Sequence, residues 1–524
     1  MITLDTPQPT TQIEVEAISL PPTFPIVLPL CRRLGLAHLV NRFCPMKEGE
    51  HLTHGQVVEL LVLHLLQSPH RLPLYKIEEW VAEFHLDYLY GHRAEEFNDD
   101  RIGSALDALA PAGADVETAL VTRALELFRV PVQAIHWDLT SVTFSGAHED
   151  SALLRSGYSR GRVQDRQLQV SLHVSAQGGL PLRHEVLPGN THQAPLAPDL
   201  LRDLQQRLGR SDLIVVSDRA GISYDNVAAY RRGGAHFLGP LQVIDPEHAR
   251  ILAQAPAEAF RPLAYRSRNQ PDDAYSYWET TLLLQGEGRR QPLPVAALLI
   301  YSARKARQDA QQRQKKLERC QARLAQIKSY LNRQRYYRRD YAARQLARAV
   351  PEALQGLLHY ELTGADGQLA LRWWEDPAAL PQAAASEGRY LLVYDLPPGH
   401  TPDDIFELYR NQGQIEARFR HFRSDLSVQP LWLHKDERIL ALLQIFLFAL
   451  LIYALLELGS VRAGLSTQYY HKLTAREMLY RFQGVYLKHV QVWGGPVYRE
   501  LILSDEQRYI LSELGFPEPT SYLQ

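Results

Sequence analysis

Three acidic residues stand where a chain can do chemistry. Asp138 follows an apolar run in "QAIHWDLTSVTFSG", and Asp218 ends another in "LIVVSDRAGIS". Glu416 lies in "YRNQGQIEARFRHFRSDL", where Arg410, Arg418, Arg420 and Arg423 surround it and only Asp425 shares its sign. Acids at the C-terminal ends of buried strands in an open α/β sheet point into the ligand crevice. Two strand-borne aspartates and a helix-borne glutamate supply oxygen ligands for two Mg²⁺ ions, which take few carboxylates and keep several waters. Two such ions about 4 Å apart can activate a water or 3′-hydroxyl and stabilise the leaving oxygen at phosphorus. Arginines beside them would hold phosphate. Each acid also has a plainer reading: a turn cap for either aspartate, a salt-bridged surface helix for the glutamate.

The glutamate's element reads as one helix, "TPDDIFELYRNQGQIEARFRHF", with Thr401 as N-cap, Pro402 at N1, and Asp403 and Asp404 in the first turn. On a continuous helix Tyr409, Gln412, Glu416 and Arg423 fall on one stripe, since steps of three, four and seven residues return to the same face. The aspartates need strands. "VQAIHWDLTSVTFSG", "LQVSLHVSAQ" and "LPLRHEVLPGN" read as three of them. A helix ("APLAPDLLRDLQQRLG"), the buried strand "DLIVVSD", a helix ("SYDNVAAYRRGG") and the strand "AHFLGPL" follow. That order makes a mixed α/β sheet with helices on its faces.

Around this core the organisation divides into segments. Residues 1–25 read as a flexible lead-in. Residues 26–130 read as an all-helical domain, a candidate for DNA binding, with Thr53 and Asn98 or Asp99 as N-caps. The core runs over 131–240 and resumes over 386–458. Between them, 241–385 reads as an inserted lobe: a hairpin, a long basic helix or helical pair, and a second hairpin turning at Asp366-Gly367. Residues 459–524 read as a helical tail.

The chain resembles bacterial insertion-sequence transposases of the DDE type, over nearly its whole length. The most specific part is "YRNQGQIEARFRHFRSDLSVQPLWLHKDERILALLQIFLFALLIY". Such enzymes carry a tyrosine, an arginine, a glutamate and a lysine there, at spacings that map onto Tyr409, Gln412, Glu416 and Arg423. "HWDLTSVTFSG", "VVSDRAGIS" and "NDDRIGSALDAL" match as well. Gln412 replaces the family's arginine and Arg423 its lysine, so one positive charge is missing and one is kept. The resemblance implies an RNase H-like core interrupted by a mostly β insertion. It also implies catalytic, metal-ligating roles for Asp138, Asp218 and Glu416 with two Mg²⁺, for which Mn²⁺ substitutes. Tyr409, Gln412, Arg420 and Arg423 would contact DNA. The implied reaction cuts the ends of the protein's own element and joins them to target DNA, by a homodimer assembled on DNA in the bacterial cytoplasm. The alternative is a catalytically inactive DNA-binding descendant.

Composition narrows the rest. A net charge of -2 gives no global sign of a nucleic-acid partner, so local clusters must carry that argument. Residues 303–350 supply one, with 15 Lys or Arg against 3 acids. Such a run is a solvated helical face or a DNA contact. Three scattered cysteines form neither a disulfide framework nor a Cys-based zinc site. The N-terminus lacks a signal-peptide pattern. "ILALLQIFLFALLIYALL", 439–456, approaches the length of a membrane span, but an all-round apolar helix equally suits the centre of a large core, and the core reading is adopted. By the resemblance, it packs behind the catalytic helix. His51 and His54 precede a helix without an acid or Cys to complete a metal site, and Asn190 and His192 sit in a turn or near the crevice. No Walker loop, GxGxxG or GxSxG is present, so no motif points to nucleotide-driven or serine-hydrolase chemistry.

Overall fold

The computed structural model describes residues 13–46, 48–67, 72–144, 150–156, 166–191, 197–267, 273–288, 290–426, 433, 435–466, 473–492 and 497–516. His192 lies outside them. The chain forms two compact units, Met1–Val215 with Asn411–Gln524, and Val216–Arg410.

In the first unit, β1 (Ile13–Ser19) is followed by helices α1 (Thr23–Leu34), α2 (Leu36–Phe43), α3 (His54–Leu66) and α4 (Asp99–Leu127). The expected caps are in place. Thr53 Oγ1 accepts from Gln56 N at 3.1 Å while Gln56 Oε1 accepts from Thr53 N at 2.9 Å, and Asn98 Oδ1 accepts from Arg101 N at 3.0 Å. Strands β2 (Ala134–Phe144), β3 (Arg155–Ser156), β4 (Arg166–Ser175) and β5 (Pro181–Pro188) follow, and then α5 (Ala197–Leu208). β2 pairs antiparallel with β4, and β4 with β5.

The division between units falls inside β6 (Ile214–Ser217). The second unit continues with α6 (Tyr224–Arg232), β7 (His236–Pro240), β8 (Arg261–Pro262), β9 (Tyr275–Leu284) and β10 (Leu293–Ser302). Then come the basic helices α7 (Ala303–Tyr330) and α8 (Arg339–Ala349), the hairpin β11 (Leu358–Thr363) and β12 (Ala370–Glu375), β13 (Arg389–Asp395), and α9 (Pro402–Arg410). Strand order is β3-β4-β2-β6-β7-β13-β10-β9-β8, with β5 on β4. The first three long strands and the two that follow thus lie in the order β5-β4-β2-β6-β7, the mixed α/β, RNase H-like arrangement expected.

Three expectations are corrected. Strands β9 and β10, placed by sequence in a separate inserted lobe, extend the main sheet through the β10–β13 pair. Only the part from α7 to β12 builds a core of its own, from Leu317, Leu324, Ile327, Leu346, Leu358 and Leu371. Residues 13–19, expected within a flexible lead-in, are a strand. They pair with β14 (Tyr486–Val492), which pairs with β15 (Val497–Ile502), so the expected helical tail carries a hairpin beside its helices. The partners are more than 460 residues apart, and no local pattern announces such a pairing.

The first unit also contains α10 (Gly413–Arg420), α11 (Asp436–Arg462), α12 (Ala475–Arg481) and α13 (Asp505–Glu513). α11 contains the apolar run, is 94% buried across its apolar window, and packs on α4, α3 and β5. It is a core helix, in agreement with the reading adopted from its sequence.

Candidate active site

β2 presents Asp138 half-buried, in register with Leu172 of β4. Its Oδ1 accepts from Leu139 N at 2.7 Å. Two residues earlier, on the same face of the strand, His136 is fully buried with no hydrogen bond to its ring nitrogens among the described residues. Burial pushes its pKa down to about 4, so near neutral pH no imidazolium competes for the aspartate.

α10 packs directly on β2 and β4. Glu416, on this helix, is exposed, and its carboxylate has no ion pair or hydrogen bond among the described residues. An exposed acid left unpaired on a helix that carries two arginines is not explained by a salt-bridged surface. The first unit therefore joins the element of Asp138 to the element of Glu416.

Asp218, in the second unit, follows β6 and is half-buried. Its Oδ1 accepts from Ala220 N at 2.9 Å and Gly221 N at 3.4 Å, which caps the turn Arg219–Gly221. Oδ2 takes no bond among the described residues. The capping role is real, and it leaves one carboxylate oxygen available. Carboxylate oxygens are the donors that hard divalent ions take. Among the described residues, no three His, Cys, Asp or Glu side chains are gathered closely enough to hold an ion.

The expected stripe is not continuous. The single helix drawn from sequence breaks at Asn411–Gln412, between α9 and α10. It then widens into a π segment, His421–Asp425, closed by Leu426 N donating to His421 O at 2.9 Å. Each irregularity shifts the phase of the helix, so steps of three, four and seven no longer return to one face. Thr401 does cap α9, exchanging bonds with Asp404. Tyr409, on α9, is half-buried with its ring 6.4 Å from that of Tyr390. Gln412 lies in the break, half-buried, and makes no side-chain cap to α10. Arg423 is exposed in the π segment, with Nε donating to Phe419 O at 3.2 Å. Arg420, one turn beyond Glu416, is exposed as well.

The ring of arginines around Glu416 also resolves differently. Arg410 lies over the rings of Tyr265 and Tyr275 in the second unit, about 6 Å from each. Arg418 is 3% exposed and ion-paired with Glu457 of α11 at 2.9 Å. Two residues past Glu416 is about 200° around the helix, so Arg418 points into the core. Its inward partner, Glu457, is well separated from it in sequence, and no motif links the two.

Among the described residues, His51, just before α3, and His54, at its start, belong to no cluster that could hold a metal. His54 is buried beside Glu50, with its Nδ1 3.3 Å from Arg101. In the basic segment the apolar stripe Leu317, Leu324 and Ile327 faces inward, while Lys315, Lys316, Arg319 and Arg323 are exposed.

A family described as "Transposase DDE domain" matches residues 137–452, and one described as "Domain of unknown function (DUF4277)" matches 17–121. No curated protein matches. Among solved structures the chain is similar to a piggyBac transposase synaptic complex with hairpin DNA. That match has 8% identity and a TM-score of 0.40, covering 89% of this chain and 82% of the other. It is also similar to a pre-cleavage Mos1 transpososome, at 11% identity and a TM-score of 0.15, covering 41% and 77%.

Proposed function

Because the chain belongs to the Transposase DDE domain family, we propose that it cuts DNA at the ends of its own insertion sequence and joins those ends to target DNA. The observation that carries this reading is the packing of α10 on β2, with Glu416 exposed and unpaired on an element that touches the strand of Asp138. With Asp218, these carboxylates are the residues that would hold two Mg²⁺ ions, or Mn²⁺ in their place. Bound there, the ions would activate the attacking oxygen and stabilise the leaving one.

The remaining roles fall to the chain's own side chains. Arg420 and Arg423, exposed on the same segment as Glu416, would take backbone phosphates. Gln412 offers an amide where the family's motif has a charge, and Tyr409 would support that end of the site through its ring. The exposed cations of α7 would add phosphate contacts that are independent of sequence. Cutting both ends of one element calls for two sites, which is the reason to expect a homodimer on DNA. A reducing cytoplasm agrees with three free, buried cysteines.

The test is incubation of the protein with Mg²⁺ and DNA carrying the inverted repeats that flank its gene. Cuts at the repeat ends and products joined to a second DNA are expected, with none when the metal is chelated. DNA that is bound but left intact in every strand would establish the inactive-binder reading instead.

A further inference from the structure

We infer that Arg418 is a positioning residue: its buried guanidinium locks the helix that carries Glu416 onto the strand pair that carries Asp138. The inference rests on the proposed function for its catalytic consequence and on geometry alone for the lock.

α10 is an eight-residue helix with no side-chain N-cap, preceded by a break and followed by a π segment. A helix so short has little stability of its own, and its rotation must be set by tertiary contacts. Arg418 supplies three. Nε donates to Gly179 O at 2.8 Å, Nη2 to Gly178 O at 2.9 Å, and Nη1 to Glu457 Oε2 at 2.9 Å. Gln414 adds a fourth from the same face, to Ala176 O at 3.1 Å. The three carbonyls belong to the turn between β4 and β5, and Ala176 N donates in turn to Ala134 O at the start of β2. One planar fork thus grips the end of the strand paired with β2, while its other arm is held by core helix α11.

The turn is shaped for this grip. Gly178 and Gly179 have φ of 80° and 60°, which other residues adopt at a cost. A Cβ on Gly179 would sit 2.7 Å from Gln414 Oε1 and 3.3 Å from Arg418 Nε. The glycine therefore serves both the turn and the approach of α10. Glu457 neutralises the guanidinium, which would otherwise be a costly buried charge. Its second oxygen faces His421, whose ring lies 4.6 Å from that of Tyr453. Lysine cannot reproduce the lock, because an ammonium is a point charge without the fork's fixed geometry.

Two variants test the lock from opposite sides. Arg418→Lys keeps the charge against Glu457 and loses the grip on the turn; Gly179→Ala leaves Arg418 intact and pushes on the same contact. Both are compared with wild type by hydrogen exchange over residues 413–420, by DNA affinity, and by single-turnover cleavage of DNA carrying the element's ends. Faster exchange confined to α10, DNA affinity that falls by no more than the one phosphate contact Arg420 makes from that helix, and cleavage slowed by about 100-fold are expected, the scale set by small misplacements of a reacting group. Unchanged exchange in α10, or faster exchange with undiminished cleavage, would overturn the inference. So would loss of DNA binding together with cleavage, which marks a general structural role. If Arg418→Lys does not fold, Gly179→Ala decides by the same criteria. Wild-type protein that cuts nothing would count against the proposed function, while the exchange result still decides the lock.

Discussion

Two helices of nearly equal length show how differently one chain can use an α-helix. α11 has 27 residues, and all but a few at its ends are buried. α7 has 28 and buries one stripe, Leu317, Cys320, Leu324 and Ile327. α11 is enclosed by α4, α3 and β5 and must be apolar all round. α7 covers one small core and leaves its remaining face to water, where basic side chains far outnumber acidic ones. Burial of every face makes a helix part of the scaffold, whereas burial of one stripe leaves a surface free to acquire a partner.

The contrast breaks most visibly at α11. Leu450→Asp would place an unpaired carboxylate at a fully buried position, at a cost of at least several kcal/mol. The first unit should fail to fold, with circular dichroism and proteolysis as the readout. Leu324→Ala, at the centre of the stripe on α7, should cost about 2–5 kcal/mol by the cavity it leaves. Because that core is separate, hydrogen exchange should quicken between α7 and β12 while α11 stays protected.

A subtler change concerns Glu59 on α3, a helix that packs on α11. Burial pushes its carboxyl up to about 7, against the opposing pull of Arg32 and the hydrogen bond from Tyr90 Oη at 3.2 Å. A folded-state pKa above the unfolded one stabilises fully below about 4.5, and that contribution is lost as the pH rises through about 7. Glu59→Gln should therefore raise the melting temperature at alkaline pH, with the advantage disappearing in acid. The smallest effect on stability is expected from Lys315→Gln, Lys316→Gln and Arg319→Gln together, within about 0.5 kcal/mol in total for exposed positions. The same triple variant should flatten the salt dependence of DNA binding by about 0.9 in slope for each phosphate that is no longer neutralised. An unchanged slope would make α7 a solvated face only.

The contrast between these helices is legible in the sequence, because it depends on local composition. The same holds for the caps at Thr53 and Asn98, the strands of Asp138 and Asp218, and the turn at Asp366-Gly367. What the sequence hides is non-local or concerns phase. β1 finds its partner at the far end of the chain. The stripe through Tyr409, Gln412, Glu416 and Arg423 requires one straight helix, and a break followed by a π segment removes that condition. Sequence alone groups Arg418 with its neighbours among the arginines around Glu416. Only the fold shows that alternate residues of "EARFR" go opposite ways, Arg418 to Glu457 and Arg420 to solvent.

Asp138, Asp218 and Glu416 are proposed to act as one site, and on this the catalytic reading stands. The most direct test is to measure cleavage of end-bearing DNA in Mg²⁺ by Asp138→Ala, Asp218→Ala and Glu416→Ala, with DNA binding measured in parallel. Each variant should still bind DNA, because affinity rests on phosphate contacts made elsewhere, and none should cut. Cleavage at the wild-type rate by any one of the three would contradict a shared site.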